Sequence, residues 1–175
     1  MPKYRKMLAD WEAQYIQSLV KLIETQSKET LCNWCIDYAE QKLLPLYESA
    51  YPGDTRPSEA LAAAREWLAG NIKLPQAKVH ITACHAAARE AEGHPSAQAA
   101  ARAIGQCAST IHSASHCAAL PLYGALALAY DTEGFSAPWP RLEQAAALEC
   151  SHMEQALRAV MVENEPNPAK LTWRC

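Results

Sequence analysis

Two alanine-rich stretches, residues 76–92 and 96–120, are joined by only Gly93-His94-Pro95, and this constrains the fold more than any other feature. So short a connection forces two helices into an antiparallel hairpin. Ala77, Ile81, Cys84, Ala88 and Ala91 recur at helical spacing along the first stretch. Ala97, Ala101, Ile104, Ala108, Ile111 and Ser115 do the same along the second. Alanine is the strongest helix former, and its small side chain lets helices approach closely. It makes up roughly a fifth of the chain, well above ordinary usage. Glycine is scarce and no period-two run of Val, Ile and Thr occurs, so the chain reads as all-α. The expected architecture is a single-domain bundle (1–175) of about six or seven antiparallel helices and helical hairpins.

The rest of the chain supplies the other elements. Leu8, Trp11, Tyr15, Leu19, Leu22 and Ile23 predict a first helix over residues 4–24, and Leu31, Trp34, Tyr38 and Leu43 a second from near Thr30. Pro45 removes a ladder donor, which predicts a kink or restart. Residues 51–58 form the clearest loop, and Pro57 suits the first turn of a helix that Gly70 caps. After a break at 71–75 and the hairpin, Pro121 bends the chain into a helix over 122–130. A loop at 131–138 precedes a last helix through about Val160, and residues 163–168 are too irregular for a helix. Trp11, Trp34, Trp67 and Trp139 would each bring an aromatic anchor from a different helix to one core.

The formal charge of −3 gives no basic footprint for nucleic acid or an anionic membrane. The longest largely apolar stretch, residues 117–130, is too short to span a bilayer. Met1-Pro2-Lys3-Tyr4-Arg5-Lys6 leads into an amphipathic segment with no apolar leader, and the seven cysteines follow no secreted framework. Reduced thiols in the cytoplasm are expected.

If residues 96–120 are one helix, then Arg102, Gly105, Ser109, His112, His116, Ala119 and Tyr123 line a single face. A tight turn sets His85 opposite Arg102, with Arg89 one turn beyond. His85, Arg89, Arg102, His112 and His116 would then form a cationic seam. Buried, such a seam needs carboxylates, and Asp54 beside Arg56 is the nearest candidate. These seven residues are the candidate binding cluster, set against a reading in which they only make structural hydrogen bonds or face water. His112 and His116 have the spacing of two metal ligands on a helix, but lack the adjacent glutamate of a zinc protease and any matched Glu-x-x-His pair. They are weak metal candidates, and no metal or cofactor is expected. Cys32-Asn33-Trp34-Cys35 has redox spacing without the strand that usually precedes it, which favours structural thiols. No nucleophile elbow or phosphate loop is present, so catalysis is not the favoured reading.

One set of spaced residues is Leu44-Pro45-Leu46-Tyr47-Glu48, Tyr51-Pro52, Asp54, Arg56-Pro57, and Trp67 with Gly70. A second is His85-Ala86-Ala87-Ala88-Arg89, Ala101-Arg102-Ala103-Ile104-Gly105-Gln106, Thr110, His112 and His116, and the two cover about residues 30–130. On these residues the chain resembles the Imm-five-like family of helical bacterial immunity proteins. The resemblance implies a protein that protects a bacterium by binding a toxin, and carries over no catalytic set. Mild net acidity is compatible with a basic partner. Two other readings stay open: a small-molecule or metal binder, or an enzyme, using the His/Arg seam, and a homo-oligomer in which Gly105 and Ser109 sit at the subunit contact.

Overall fold

The structure, a computed structural model, describes residues 4–173. In chain order its α-helices are α1 (Gln14–Ile23), α2 (Lys28–Tyr38), α3 (Leu44–Ala50), α4 (Arg56–Leu68), α5 (Leu74–Glu90), α6 (Pro95–Ser109), α7 (Ala125–Glu133) and α8 (Trp139–Val160). Among the described residues there is no strand. The fold is an all-α helical bundle.

The hairpin forms from α5 and α6 as the pattern requires, but alanine does more than line one stripe of α6. Ala97, Ala99, Ala100, Ala101, Ala103, Ile104, Gly105, Cys107 and Ala108 are all buried, so α6 is apolar nearly all round. A helix of that kind belongs inside a core. It packs against α2, α3, α4, α5 and α7, and small side chains let all of these approach its backbone. Within α6 only Ser96, Arg102 and Gln106 are half-exposed. Arg102 is the one charged residue in the helix, emerging where the wrapping is incomplete.

The expected helix over 96–120 is not continuous. α6 stops at Ser109, residues 110–113 turn, and Ala114–Ala118 forms a 3-10 helix. The Ser109 hydroxyl donates to the Gly105 carbonyl at 2.8 Å and the Thr110 hydroxyl to Cys107 at 2.5 Å. Hydroxyls bonded back to the preceding turn compete with the helix ladder. The backbone then tightens, with Thr110 N–H bonding Cys107 O and His112 N–H bonding Ser109 O. The seven-residue stripe is therefore not one helical face.

Both Leu-Pro-Leu-Tyr sequences accompany a π-turn. Ala39–Leu43 is π-helical and leads directly into α3 at Leu44-Pro45, while Leu120–Gly124 is π-helical around Pro121. Each proline lacks a ladder donor, and one widened turn absorbs the defect without breaking the helix. The expected kink at Pro45 takes this form. The two π-turns meet: a Cβ on Gly124 would lie 3.2 Å from Leu43 Cδ1.

The first helix is shorter than expected. Residues 4–13 form a non-helical strap, because the Asp10 carboxylate accepts from the Glu12 amide and starts a turn. The strap is tied down by Leu8 N–H to Leu122 O at 2.9 Å and by Tyr130 Oη donating to Arg5 O at 2.7 Å. All four tryptophans meet one core as expected, Trp34 inside it and Trp11, Trp67 and Trp139 packed against its edge, though Trp11 comes from the strap and not from a helix. Trp34 alone of them is fully buried, its Nε1 donating to Met153 O at 3.0 Å. Trp67 lies under Lys28, Trp139 under Arg5, and Trp11 (in the strap) against Trp173.

The C-terminal segment packs back on the bundle. Buried Gln26 takes the Val162 amide on its side-chain oxygen and the Ala169 amide on its carbonyl, and Ser115 Oγ accepts from Thr172 N–H at 2.7 Å. Met1, Pro2 and Lys3 of the leader reading, and Arg174 and Cys175 at the other end, lie outside the described residues.

Candidate functional site

The seven candidate residues fall into two clusters of opposite character. The first joins the 51–55 loop to the far end of α5. Asp54 accepts from Arg56 through both carboxylate oxygens, at 2.9 and 2.7 Å, and from Tyr47 Oη at 2.6 Å. Arg56 reaches on to Glu90 at 2.7 Å. Tyr47 is buried and stacks on Tyr51, which meets the edge of His94 beside the hairpin turn. The Arg56 guanidinium beside Asp54 holds its carboxyl down at about 2. Every charge here has a partner. Sequence spacing did not reveal Tyr47 and Glu90 as members: Glu90 lies 34 positions from Arg56, and Tyr47, seven positions before Asp54, carries no local sign that its hydroxyl turns to the loop.

The second cluster gathers His85 and Arg89 of α5, Arg102 of α6, and His112 and His116 beyond its end. The His85 ring lies against α6 at Gly105, where an added Cβ would come within 2.7 Å of Cε1 and 2.8 Å of Nδ1. Gly105 is thus required by a close approach across the hairpin. Burial pushes the His85 imidazole below its ordinary value, and Arg102, Arg89 and His116 push it further. The rings of His112 and His116 meet edge to face with centroids 5.0 Å apart. Burial, then His116, Lys78 and Lys28, lower His112, and burial lowers His116. The contact between these two rings survives the loss of the helix that predicted it, with His112 in the turn and His116 in the 3-10 segment that follows.

Asp54 does not serve this second cluster, since Arg56 and Tyr47 already engage it. Among the described residues, neither Arg89 nor Arg102 lies within 4.0 Å of a carboxylate. Two buried side-chain atoms here also lack a hydrogen-bond partner: His85 Nδ1, and Oε1 of Gln106, one turn beyond Arg102. Arg102 also borders a cavity of about 100 Å³ lined by Lys6, Gln98, Ala99 and Tyr123. Larger open grooves of about 880 and 650 Å³ lie elsewhere, the first between α1 and the C-terminal segment, the second between α2 and α4.

Among the described residues no group of three or more His, Cys, Asp or Glu side chains is arranged to hold a metal ion. His112 and His116 therefore find no third ligand of these kinds. Cys32 and Cys35 are buried and unbridged, as are Cys84, Cys107, Cys117 and Cys150. Burial pushes the Cys32 and Cys35 thiols up, away from the reactive thiolate. No helix among the described residues is long and apolar enough to cross a membrane.

A family model described as "Imm-5 like putative immunity protein" matches residues 21–156. The chain belongs to the Imm-5-like family. No curated protein and no solved structure matches it. The Imm-5-like match reaches beyond residues 30–130 at both ends, taking in the end of α1 and most of α8. Both charge clusters lie wholly inside it.

Proposed function

We propose that this chain is a non-catalytic immunity protein of the bacterial cytoplasm, which neutralises a toxin by binding it directly. The observation that carries the reading is the second cluster: two unpaired arginines and three imidazoles assembled on one face of a protein that belongs to an immunity family. Catalysis by a histidine base calls for a group that orients and supports the imidazolium. These imidazoles instead face cations and one another, an arrangement suited to receiving charge from a partner. Interfaces concentrate binding energy in such arginines, and complementary charge fixes register and partner choice.

The small cavity beside Arg102 favours a second reading, a small anion held by Lys6, Arg102 and Tyr123. Co-expression separates the two. The toxin is sought in the open reading frame next to this gene. The immunity reading expects this chain to restore growth of toxin-expressing cells and to co-elute with the toxin in size-exclusion chromatography. Growth arrest despite expression of the intact chain, with no complex formed, would overturn it.

A further inference from the structure

The described arginines divide sharply by partner. Arg56, Arg65, Arg141 and Arg158 each sit on a carboxylate, and Arg5 lies 3.8 Å over the Trp139 ring. Among the described residues Arg89 and Arg102 have neither, although Glu90 is the next residue in the chain after Arg89. Glu90 turns instead to Arg56. Lys78 on α5 and Lys28 on α2, the latter over the Trp67 ring, add to the positive charge felt at His112. The sign of this face is the reverse of the whole molecule, whose formal charge is −3.

We propose that this face, centred on Arg102 and bounded by Arg89, His85, His116 and Lys78, docks an acidic segment of a protein partner through that partner's Asp and Glu carboxylates. The proposal rests on the immunity reading for the partner's identity, but not for its chemistry. Local complementarity, not net charge, decides which surfaces meet. A polyphosphate backbone fits less well. It carries dense charge over a long span, and the acidic remainder of this molecule would repel it. Carboxylates fit the planar fork of an arginine two oxygens at a time.

Docked carboxylates would also change the imidazoles. His85 is faced by Arg89 on its own helix, Arg102 on α6 and His116 on the 3-10 segment; His112 is faced by His116, Lys78 on α5 and Lys28 on α2. In the free protein these cations favour the neutral rings. Carboxylates arriving over them favour the charged rings, so docking takes up protons and tightens as pH falls toward the lowered pKa of the free rings.

The test titrates the whole chain with a glutamate-rich peptide and, separately, with an oligouridylate of equal length. Histidine ring resonances are followed by NMR at low and high salt. The expected result is peptide-induced movement of the His85, His112 and His116 resonances, weaker at high salt and stronger at lower pH. Arg102→Gln and the exposed Arg89→Glu should each weaken peptide affinity by about tenfold or more, while Lys21→Glu on α1 leaves it unchanged. Unmoved resonances, tighter binding of the oligouridylate, or equal affinity of the Arg89→Glu protein would each overturn the proposal. So would full growth protection by Arg89→Glu in the toxin assay. Failure of the intact chain to protect, with peptide binding present, overturns the immunity reading alone.

Discussion

Residues 89 and 90 are neighbours on α5, yet they belong to two regions built on opposite terms. Glu90 completes the Tyr47, Asp54 and Arg56 network, where each charge is paired and each hydroxyl bonded. Arg89 faces the His85, Arg102 and His116 cluster, where no carboxylate among the described residues comes within 4.0 Å of either arginine, although Glu90 still feels the Arg89 charge. Similar residue types thus do different work. The paired network ties the 51–55 loop and α4 to the hairpin and serves the fold. The unpaired face contributes nothing of that kind. It carries like-charge repulsion and unsatisfied polar atoms, costs that natural folds keep where a partner offsets them.

The sharpest way to break this contrast is at Asp54. Asp54→Ala should destabilise the protein by about 2 kcal/mol, since charged hydrogen bonds are lost, Tyr47 Oη is left without its acceptor and Arg56 keeps only Glu90. Urea unfolding should show a lowered midpoint at unchanged slope. The same carboxylate sets an acid limit. Its pKa is depressed in the fold to about 2, so its stabilisation is complete above the unfolded value near 3.9 and is lost as pH falls from there toward 2. Asp54→Ala should lack that part of the acid transition. An unchanged midpoint would show that the paired network does not support the fold.

Gly105→Ala probes the other region through packing. The new methyl group would meet the His85 ring, and overpacking of that kind costs about 1–3 kcal/mol, against about 1 kcal/mol gained from helix propensity. A net loss of about 1 kcal/mol is expected, accompanied by displacement of the His85 ring resonances. In a His85→Ala background the same change should become stabilising by up to about 1 kcal/mol, a sign reversal that a double-mutant cycle reads directly. Equal effects in both backgrounds would place the ring elsewhere.

How far the sequence announced these regions follows from which forces are local. The hairpin was legible because helical spacing and a three-residue turn are properties of adjacent residues. That α6 is central was less so: alanine suits a helix edge as well as a helix interior, and only the number of helices around it decides. The strap at 4–13 imitates a helix because Leu8, Trp11 and Tyr15 keep helical spacing, while Asp10, a turn former, is the local sign against it. The histidine contact was anticipated from a helix that ends at Ser109. Two hydroxyls redirect the backbone there, and the turn and 3-10 segment that follow still bring His112 and His116 together. The pairing of Glu90 with Arg56 lies across 34 positions and leaves no local trace.

A smaller effect separates the regions by pH. The three imidazoles have lowered pKa values in the fold, chiefly through burial. An unfolded histidine near 6.5 then binds protons more readily than the folded one, so stability is full above that value and declines as pH falls below it. Thermal unfolding should show this decline well before the Asp54 step begins. Replacing His85, His112 and His116 with glutamine should flatten the decline near pH 6 and leave the lower step in place. A profile flat between about pH 7.5 and 5.5 in the unsubstituted protein would mean that the rings titrate as free histidines.

The smallest expected effect on stability is the one that separates the two regions most cleanly. Arg102→Gln removes a charge that faces His85 and has no carboxylate to lose, so stability should stay within about 0.5 kcal/mol of the parent. Its Cβ and stem still cover the half-buried patch where α6 surfaces, which keeps packing out of the comparison. Removing the guanidinium also relieves the neighbouring imidazole, so the His85 pKa should rise toward its ordinary value, measurable by NMR titration. Arg56→Gln, the matched change in the paired network, should instead destabilise the protein, because Asp54 and Glu90 both lose their cation. If the two glutamine variants unfolded at the same denaturant concentration, arginines in paired and unpaired settings would be equivalent to this fold. The argument that the Arg102 face is held ready for a partner would then lose its physical basis.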